Sequence, residues 1–323
     1  MTETVVAVDI GGTHARFAIA EVAGGRVVSL GEATTLHTAH HASFQSAWEA
    51  FARREGGVPR SVAIAVAGPV RGDVIRFTNN PWLIRPALIG EKLNVDRHVL
   101  VNDFEAVGHA VAQADEGYFE RLSGPDEPLP TIGTISIIGP GTGLGVAHIW
   151  RDGSDYRVQA TEGGHIDFAP LDSIEDAILA RLRERHRRVS IERIVSGPGI
   201  VDIYETLAAL EGRPVASLDD RTIWTMAMIG GDSLAAAAAD RFCLSLGSVA
   251  GDLALAQGAG GVVIAGGLGL RIRDSLVRSG FPERFVAKGR FENLMAALPV
   301  KLITHPQPGL FGAAAAFARQ FCR

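Results

Sequence analysis

The chain has 323 residues, 47% of them hydrophobic and 21% charged, with 31 Lys and Arg against 36 Asp and Glu for a formal net charge of −5. That length suits two domains with sizeable cores, and the slight acidic excess argues against nucleic acid as a general partner. The two cysteines, Cys243 and Cys322, are too far apart in sequence to form a disulfide framework or a zinc pattern, which points to a reducing, cytoplasmic setting.

Residues 5–8 read as an apolar, β-branched strand that reaches Asp9, then Gly11, Gly12 and Thr13, and residues 17–20 leave as a second strand. Glycines let backbone amides approach an anion closely, and the threonine adds a hydroxyl donor. A carboxylate at a strand end repels phosphate unless a cation lies between them, so Asp9 with this turn suggests a site for phosphate plus a divalent metal. It is not a Walker loop, because Lys92, Lys288 and Lys301 are the only lysines and none follows a glycine. Nor is it a dinucleotide fingerprint, because a strand rather than a helix follows; with a short strand at residues 26–29 the pattern is a β-meander. Asp9 also interrupts the first apolar run, so no secretory leader is expected from it.

Further along, residues 41–54 read as a helix with Phe44, Ala47, Trp48 and Phe51 on one stripe. A buried strand at 62–67 ends at Gly68 and Pro69, and a strand at 99–101 ends at Asn102 and Asp103, before a helix at 104–112. Residues 118–130, rich in Gly, Pro and acids, read as a loop. Residues 135–150 then repeat the opening pattern, with a strand entering Gly139, Gly141, Thr142 and Gly143 and another leaving. Tight hairpins use glycine for structural reasons alone. Two copies, however, suggest a duplicated fold in which each half presents a phosphate-binding turn.

Beyond this second turn the chain reads as mostly helical, at 173–188, 199–210, 221–229 and 233–257, with strands at 262–265 and 300–304 and a final helix from 309. Alternating strands and helices imply α/β layers. The uncharged stretch 253–270 reaches the length of a membrane span, but Gln257 and its glycines fit a helix end, a turn and a buried strand better. Arg181, Arg183, Arg185, Arg187 and Arg188 lie among Glu175, Asp176 and Glu184, the pattern of a solvated helix face rather than a nucleic-acid patch.

In open α/β sheets ligands bind beyond the carboxyl ends of the strands, where Asn102 and Asp103 fall. Asp103 there can serve as a general base for an alcohol, or the pair can simply cap the helix that follows. Glu162, Gly163, Gly164 and His165 form a second polar group whose glycines let both side chains aim one way; an ordinary surface turn is the alternative. Glu192 is a third candidate, otherwise a surface helix residue or cap partner. Together Asn102, Asp103, Glu162, His165 and Glu192 are acceptors and bifunctional groups that suit a polyhydroxylated substrate.

With these motifs assembled, the chain resembles the bacterial glucokinases, in the hexokinase branch of the actin-like ATPase superfamily. Residues 9–16 match that family's first phosphate motif and 139–145 its second. Residues 65–69 resemble the first connecting motif, 101–104 the segment holding the catalytic aspartate, 162–168 the sugar-contact loop, 263–267 the adenosine motif and 308–313 the second connecting motif. The resemblance covers essentially the whole chain. No cysteine-rich zinc loop follows Glu162–His165, which by the family pattern points to the zinc-free group.

The resemblance implies a duplicated actin/hexokinase-like, ribonuclease H-like α/β fold, with a small domain (1–113 plus 304–323) and a large domain (114–303) flanking a catalytic cleft. It implies that ATP phosphorylates D-glucose at O6, giving glucose 6-phosphate and ADP, the first step of glycolysis, with Asp103 as general base. Asn102, Asp103, Glu162, His165 and Glu192 would bind the sugar. Gly11, Gly12, Thr13, Gly141, Thr142 and Gly143 would bind the phosphates, Gly266 and Gly267 the adenosine, and Asp9 would hold Mg2+ through water. A cytoplasmic homodimer without membrane or nucleic-acid partners is implied as well. The alternatives are a kinase for mannose, fructose or N-acetylglucosamine, a sensing protein without turnover, and a non-sugar member of the superfamily. The last lacks the Glu-Gly-Gly-His loop.

Overall fold

The computed structural model describes residues 2–77 and 80–322. The chain divides into two compact units, one made of Met1–Asp115, Val158–Ala160 and His305–Arg323, the other of Glu116–Arg157 and Thr161–Thr304. The strands preceding the second unit are β1 (Glu3–Ile10), β2 (His14–Ala23), β3 (Arg26–Leu30), β4 (Thr34–His37), β5 (Ser61–Val66), β6 (Ile75–Arg76), β7 (Leu83–Ile84) and β8 (Arg97–Asn102). Six more follow: β9 (Phe119–Ser123), β10 (Ile132–Pro140), β11 (Leu144–Asp152), β12 (Asp155–Thr161), β13 (Ala259–Ile264) and β14 (Val300–Ile303). The α-helices are α1 (Phe44–Arg54), α2 (Ile89–Leu93), α3 (Asp103–Gln113), α4 (Ser173–Arg183), α5 (Gly199–Leu210) and α6 (Asp220–Ile229). After them come α7 (Ser233–Gln257), α8 (Gly266–Arg271), α9 (Arg273–Arg278), α10 (Phe281–Val286), α11 (Glu292–Ala296) and α12 (Pro308–Phe321).

The expected duplication is present as topology. One sheet runs β3-β2-β1-β5-β8, with β4 also paired to β2, and the other runs β12-β11-β10-β13-β14-β9. In each, a long hairpin is antiparallel (β1 with β2, β10 with β11) and the next two pairings are parallel. The fold is therefore α/β with mixed sheets, as the motifs imply.

Burial of β1 on both faces explains its unbroken apolar run. Val6, Val8 and Ile10 pack with Phe17, Phe44, Trp48 and Phe51, while Val5 and Ala7 pack with Ala63, Ala65, Leu310, Ala314 and Phe317. The second face is lined by small residues, which lets α3 and α12 settle close to the sheet. The same economy governs their contact with each other: a methyl group on Gly312 would overlap the Ala106 carbonyl oxygen.

Several sequence expectations need correction. Residues 118–130 are not wholly a loop, because β9 forms an edge strand antiparallel to β14. Its adjacent charges, Glu120 and Arg121, hide a single well-buried side chain, Leu122. The helix expected over 173–188 stops at Arg183, and the one expected from residue 41 starts at Phe44, where Ser43 and Ser46 form a reciprocal capping box. The chain beyond the second turn also carries β12, which the mostly helical reading left out. The uncharged stretch 253–270 resolves into the end of α7, a left-handed Gly258 at φ +61° and β13. Among the described residues no helix is long and apolar enough to cross a membrane. Three arginines of the cluster are paired, Arg181 with Glu205, Arg185 with Asp202 and Arg188 with Asp167.

Replacing Gly312 with Val forces α12 away from α3. The melting temperature, followed by circular dichroism, should fall by about 5 °C or more, given the usual cost of overpacking a tight contact.

Candidate functional site

In the first unit the carboxyl ends of three parallel strands line up. Ile10 pairs with Val66, and Val66 with Asn102. Asp9 and Asp103 flank this row, one residue before and one after it. Asp9 is half-buried, and Arg16 Nη1 donates to its Oδ2 at 3.2 Å. Burial outweighs that pairing and holds the Asp9 carboxyl above its usual range. The first turn of α12 closes over it: any side chain on Gly309 would begin 2.8 Å from the Asp9 carboxylate.

Asp103 opens α3. Burial is the main cause that pushes its pKa up to about 6; the neighbouring charge of Asp9 adds to this, while the Phe104 amide, 2.9 Å from Oδ1, works against it. A carboxylate titrating there is ionised at neutral pH yet basic enough to take a proton from an alcohol in passing. Asn102 is the N-cap of α3. Its Oδ1 accepts from the amides of Phe104 at 2.8 Å and Glu105 at 3.2 Å, and its Nδ2 donates to the Gly68 carbonyl at 3.0 Å. The capping alternative is therefore realised at Asn102.

Between β1 and β2 the first glycine turn is closed by the Gly11 amide donating to the His14 carbonyl at 2.9 Å. Thr13 is exposed at its tip. The second turn, between β10 and β11, has the same plan: the Gly141 amide donates to the Gly143 carbonyl at 2.8 Å and Thr142 is exposed.

The second unit gathers its candidate residues around Leu144, the first residue after that turn. The Leu144 amide donates to Glu192 Oε2 at 2.8 Å, and the same carboxylate lies where a Gly143 side chain would be. Gly164 packs against the Leu144 carbonyl so closely that a methyl group would overlap it. Glu192 is thus not a free surface acid; a contact 48 residues away in sequence fixes one of its oxygens. Glu162 and His165 remain accessible, with 70% and 57% of their side chains exposed and 3.9 Å between His165 Nε2 and Glu162 Oε2. Gly266, at φ +84°, sits where a side chain would meet the Pro140 carbonyl at 2.9 Å, and Gly267 faces open space. Gly197, which the sequence does not single out, donates its amide to the Gly141 carbonyl at 2.7 Å.

Among the described residues no three His, Cys, Asp or Glu side chains converge as a protein metal cage. Magnesium does not need one, since it is commonly held by one or two carboxylates together with substrate phosphates and water. A half-buried Asp9 whose charge Arg16 only partly offsets fits that donor set.

The raised pKa of Asp103 carries a stability consequence. The folded value near 6 lies above the unfolded 3.8, so the ionised group costs stability above about pH 6, and that cost fades as pH falls through 6 toward 4. Asp103→Asn, which cannot ionise, should therefore melt several degrees higher than the parent near pH 8, with little gain near pH 4, by differential scanning fluorimetry.

The family model described as Glucokinase matches residues 6–320. The curated glucokinase of Zymomonas mobilis is 65% identical over 318 residues, covering 98% of each chain. The crystal structure of a glucokinase from an Antarctic psychrotroph superposes with a TM-score of 0.85 at 33% identity, covering 97% of this chain and 98% of that one. A ROK family glucokinase from Streptomyces griseus, solved with glucose and AMPPNP, shares the fold at a TM-score of 0.62 and 21% identity, covering 98% of this chain and 100% of that one. On the family match and the near full-length identity, the chain belongs to the glucokinase family.

Proposed function

We propose that the protein transfers the γ-phosphoryl group of ATP to O6 of D-glucose, giving glucose 6-phosphate and ADP. The observation that carries this reading is Asp103, a half-buried acid at the carboxyl edge of β8 whose pKa is pushed up to about 6. It accepts the proton of the C6 hydroxyl while O6 attacks the γ-phosphorus. The bond from that phosphorus to the bridging oxygen breaks, and ADP leaves with the electron pair. A positioned base contributes about 10²–10⁴-fold. The rest comes from in-line positioning and charge neutralisation, because the transition state spreads its charge over the phosphoryl oxygens.

The two glycine turns supply backbone amides to the phosphates through Gly11, Gly12, Thr13, Gly141, Thr142 and Gly143. Gly266 and Gly267 let the adenosine lie against backbone. Magnesium, held by Asp9, supplies charge neutralisation when bound. Glu162 and His165, both accessible, take sugar hydroxyls, and Glu192 contributes the oxygen that Leu144 leaves free. Asn102 acts chiefly by fixing the start of α3, on which Asp103 sits. The reading also takes the enzyme to be a cytoplasmic homodimer.

A coupled assay with equal concentrations of glucose, mannose, fructose and N-acetylglucosamine tests the substrate; glucose should give the highest kcat/KM. Preferential turnover of another hexose would move the reading to that sugar, and none with any sugar would end it. In the same assay Asp103→Ala should lower kcat by at least about 10²-fold. The parent's kcat/KM for glucose should fall below an apparent pKa near 6 as the base becomes protonated.

A further inference from the structure

The first glycine turn is anchored from behind by residues that the reading above leaves without a role. Thr38 Oγ1 donates to the Gly12 carbonyl at 2.9 Å, and the Thr38 amide donates to the Thr13 carbonyl at 3.0 Å. Asn80 Nδ2 donates to the Gly11 carbonyl at 3.2 Å, while its Oδ1 accepts from the Trp82 amide at 3.0 Å. Trp82 Nε1 in turn donates to the His41 carbonyl at 2.9 Å, tying the segment that follows Thr38 to the segment that holds Asn80. Thr38, Asn80 and Trp82 are 3%, 6% and 1% exposed, so this clamp is closed to water.

A trans peptide is planar, and its N–H points opposite to its C=O. Anchoring the carbonyls of Gly11 and Gly12 therefore fixes the directions of the Gly12 and Thr13 amides, which then face away from the clamp. The second turn has a counterpart built from backbone: Gly197 anchors the Gly141 carbonyl, and the Trp224 indole donates to the Gly197 carbonyl at 3.0 Å. Each turn thus has a buried tryptophan indole bracing the segment that grips it.

We infer that Thr38 and Asn80 are positioning residues for the nucleotide, orienting the amides of Gly12 and Thr13 toward the phosphates through the carbonyls they grip. The inference rests on the reading that this turn binds the phosphates of ATP. Glycines in a turn leave the backbone many conformations. A clamp selects one before the ligand arrives, so nucleotide binding does not bear the cost of ordering the turn.

Thr38→Val removes the hydroxyl donor while keeping the shape and the backbone amide. Loss of one buried donor should raise KM for ATP by about tenfold or more. KM for glucose should stay near the parent value even where the lost bond lowers the melting temperature by a few degrees, and Thr38→Ser should restore the KM for ATP. A merely structural role would instead change both KM values together and would not separate the two substrates. An unchanged KM for ATP in a folded, active Thr38→Val overturns the inference. Trp82→Phe, which removes the indole donor together with some buried ring volume, gives the same comparison of the two KM values if Thr38→Val does not fold. Should the parent protein show no glucose-dependent turnover, the functional reading falls. Calorimetry with magnesium and ADP then decides the clamp separately: weaker binding by Thr38→Val supports it, and equal binding rejects it.

Discussion

Two half-buried acids at one sheet edge set the terms for the first unit. Asp9 and Asp103 flank a row of paired strand ends, and the charge of Asp9 opposes ionisation of Asp103. Partial burial weakens the screening that water would supply. The surrounding fold is arranged to tolerate the result. Arg16 offsets part of the charge on Asp9, Gly309 leaves room for its carboxylate, and the cap made by Asn102 fixes where α3 begins. Small residues along the sheet and at Gly312 allow α3 and α12 to pack there at all. Stability is given up at Asp103, whose folded pKa of about 6 lies above the unfolded 3.8.

The duplicated topology makes the divergence of the halves readable. The last hairpin pair but one is Asp9 with Arg16 in the first unit and Gly139 with Gly145 in the second. The same backbone plan therefore offers an ion pair in one copy and only glycine in the other. The second copy keeps its space for backbone contacts, with Gly266 lying against the Pro140 carbonyl and Gly197 gripping Gly141. Its charged groups come from outside the hairpin, from Glu192 and from the loop of Glu162 and His165.

Much of this was legible in the residues because it is local. An apolar run, an acid, two glycines and a threonine define a hairpin without reference to anything distant, and a second copy defines the duplication. What escaped depends on long-range pairing. β9 carries two adjacent charges, Glu120 and Arg121, and acquires its identity only from its pairing with the distant β14. Glu192 reads as a surface acid until Leu144 is seen to donate to it. Thr38 and Asn80 are single polar residues with no motif around them, and their partners lie 26 and 69 positions away. Asn102 read as either a cap or a ligand, and its hydrogen bonds establish the cap.

The account depends on the electrostatics of the Asp103 carboxyl, which can be observed directly. Carbon-13 NMR titration of the aspartate carboxyl resonances, with the Asp103 signal assigned by its loss in a substituted protein, reads its midpoint without any assay. The account predicts a midpoint near 6 that moves down when Asp9 is replaced by Asn. A midpoint at the ordinary value of 3.8, unmoved by the change at Asp9, would contradict it.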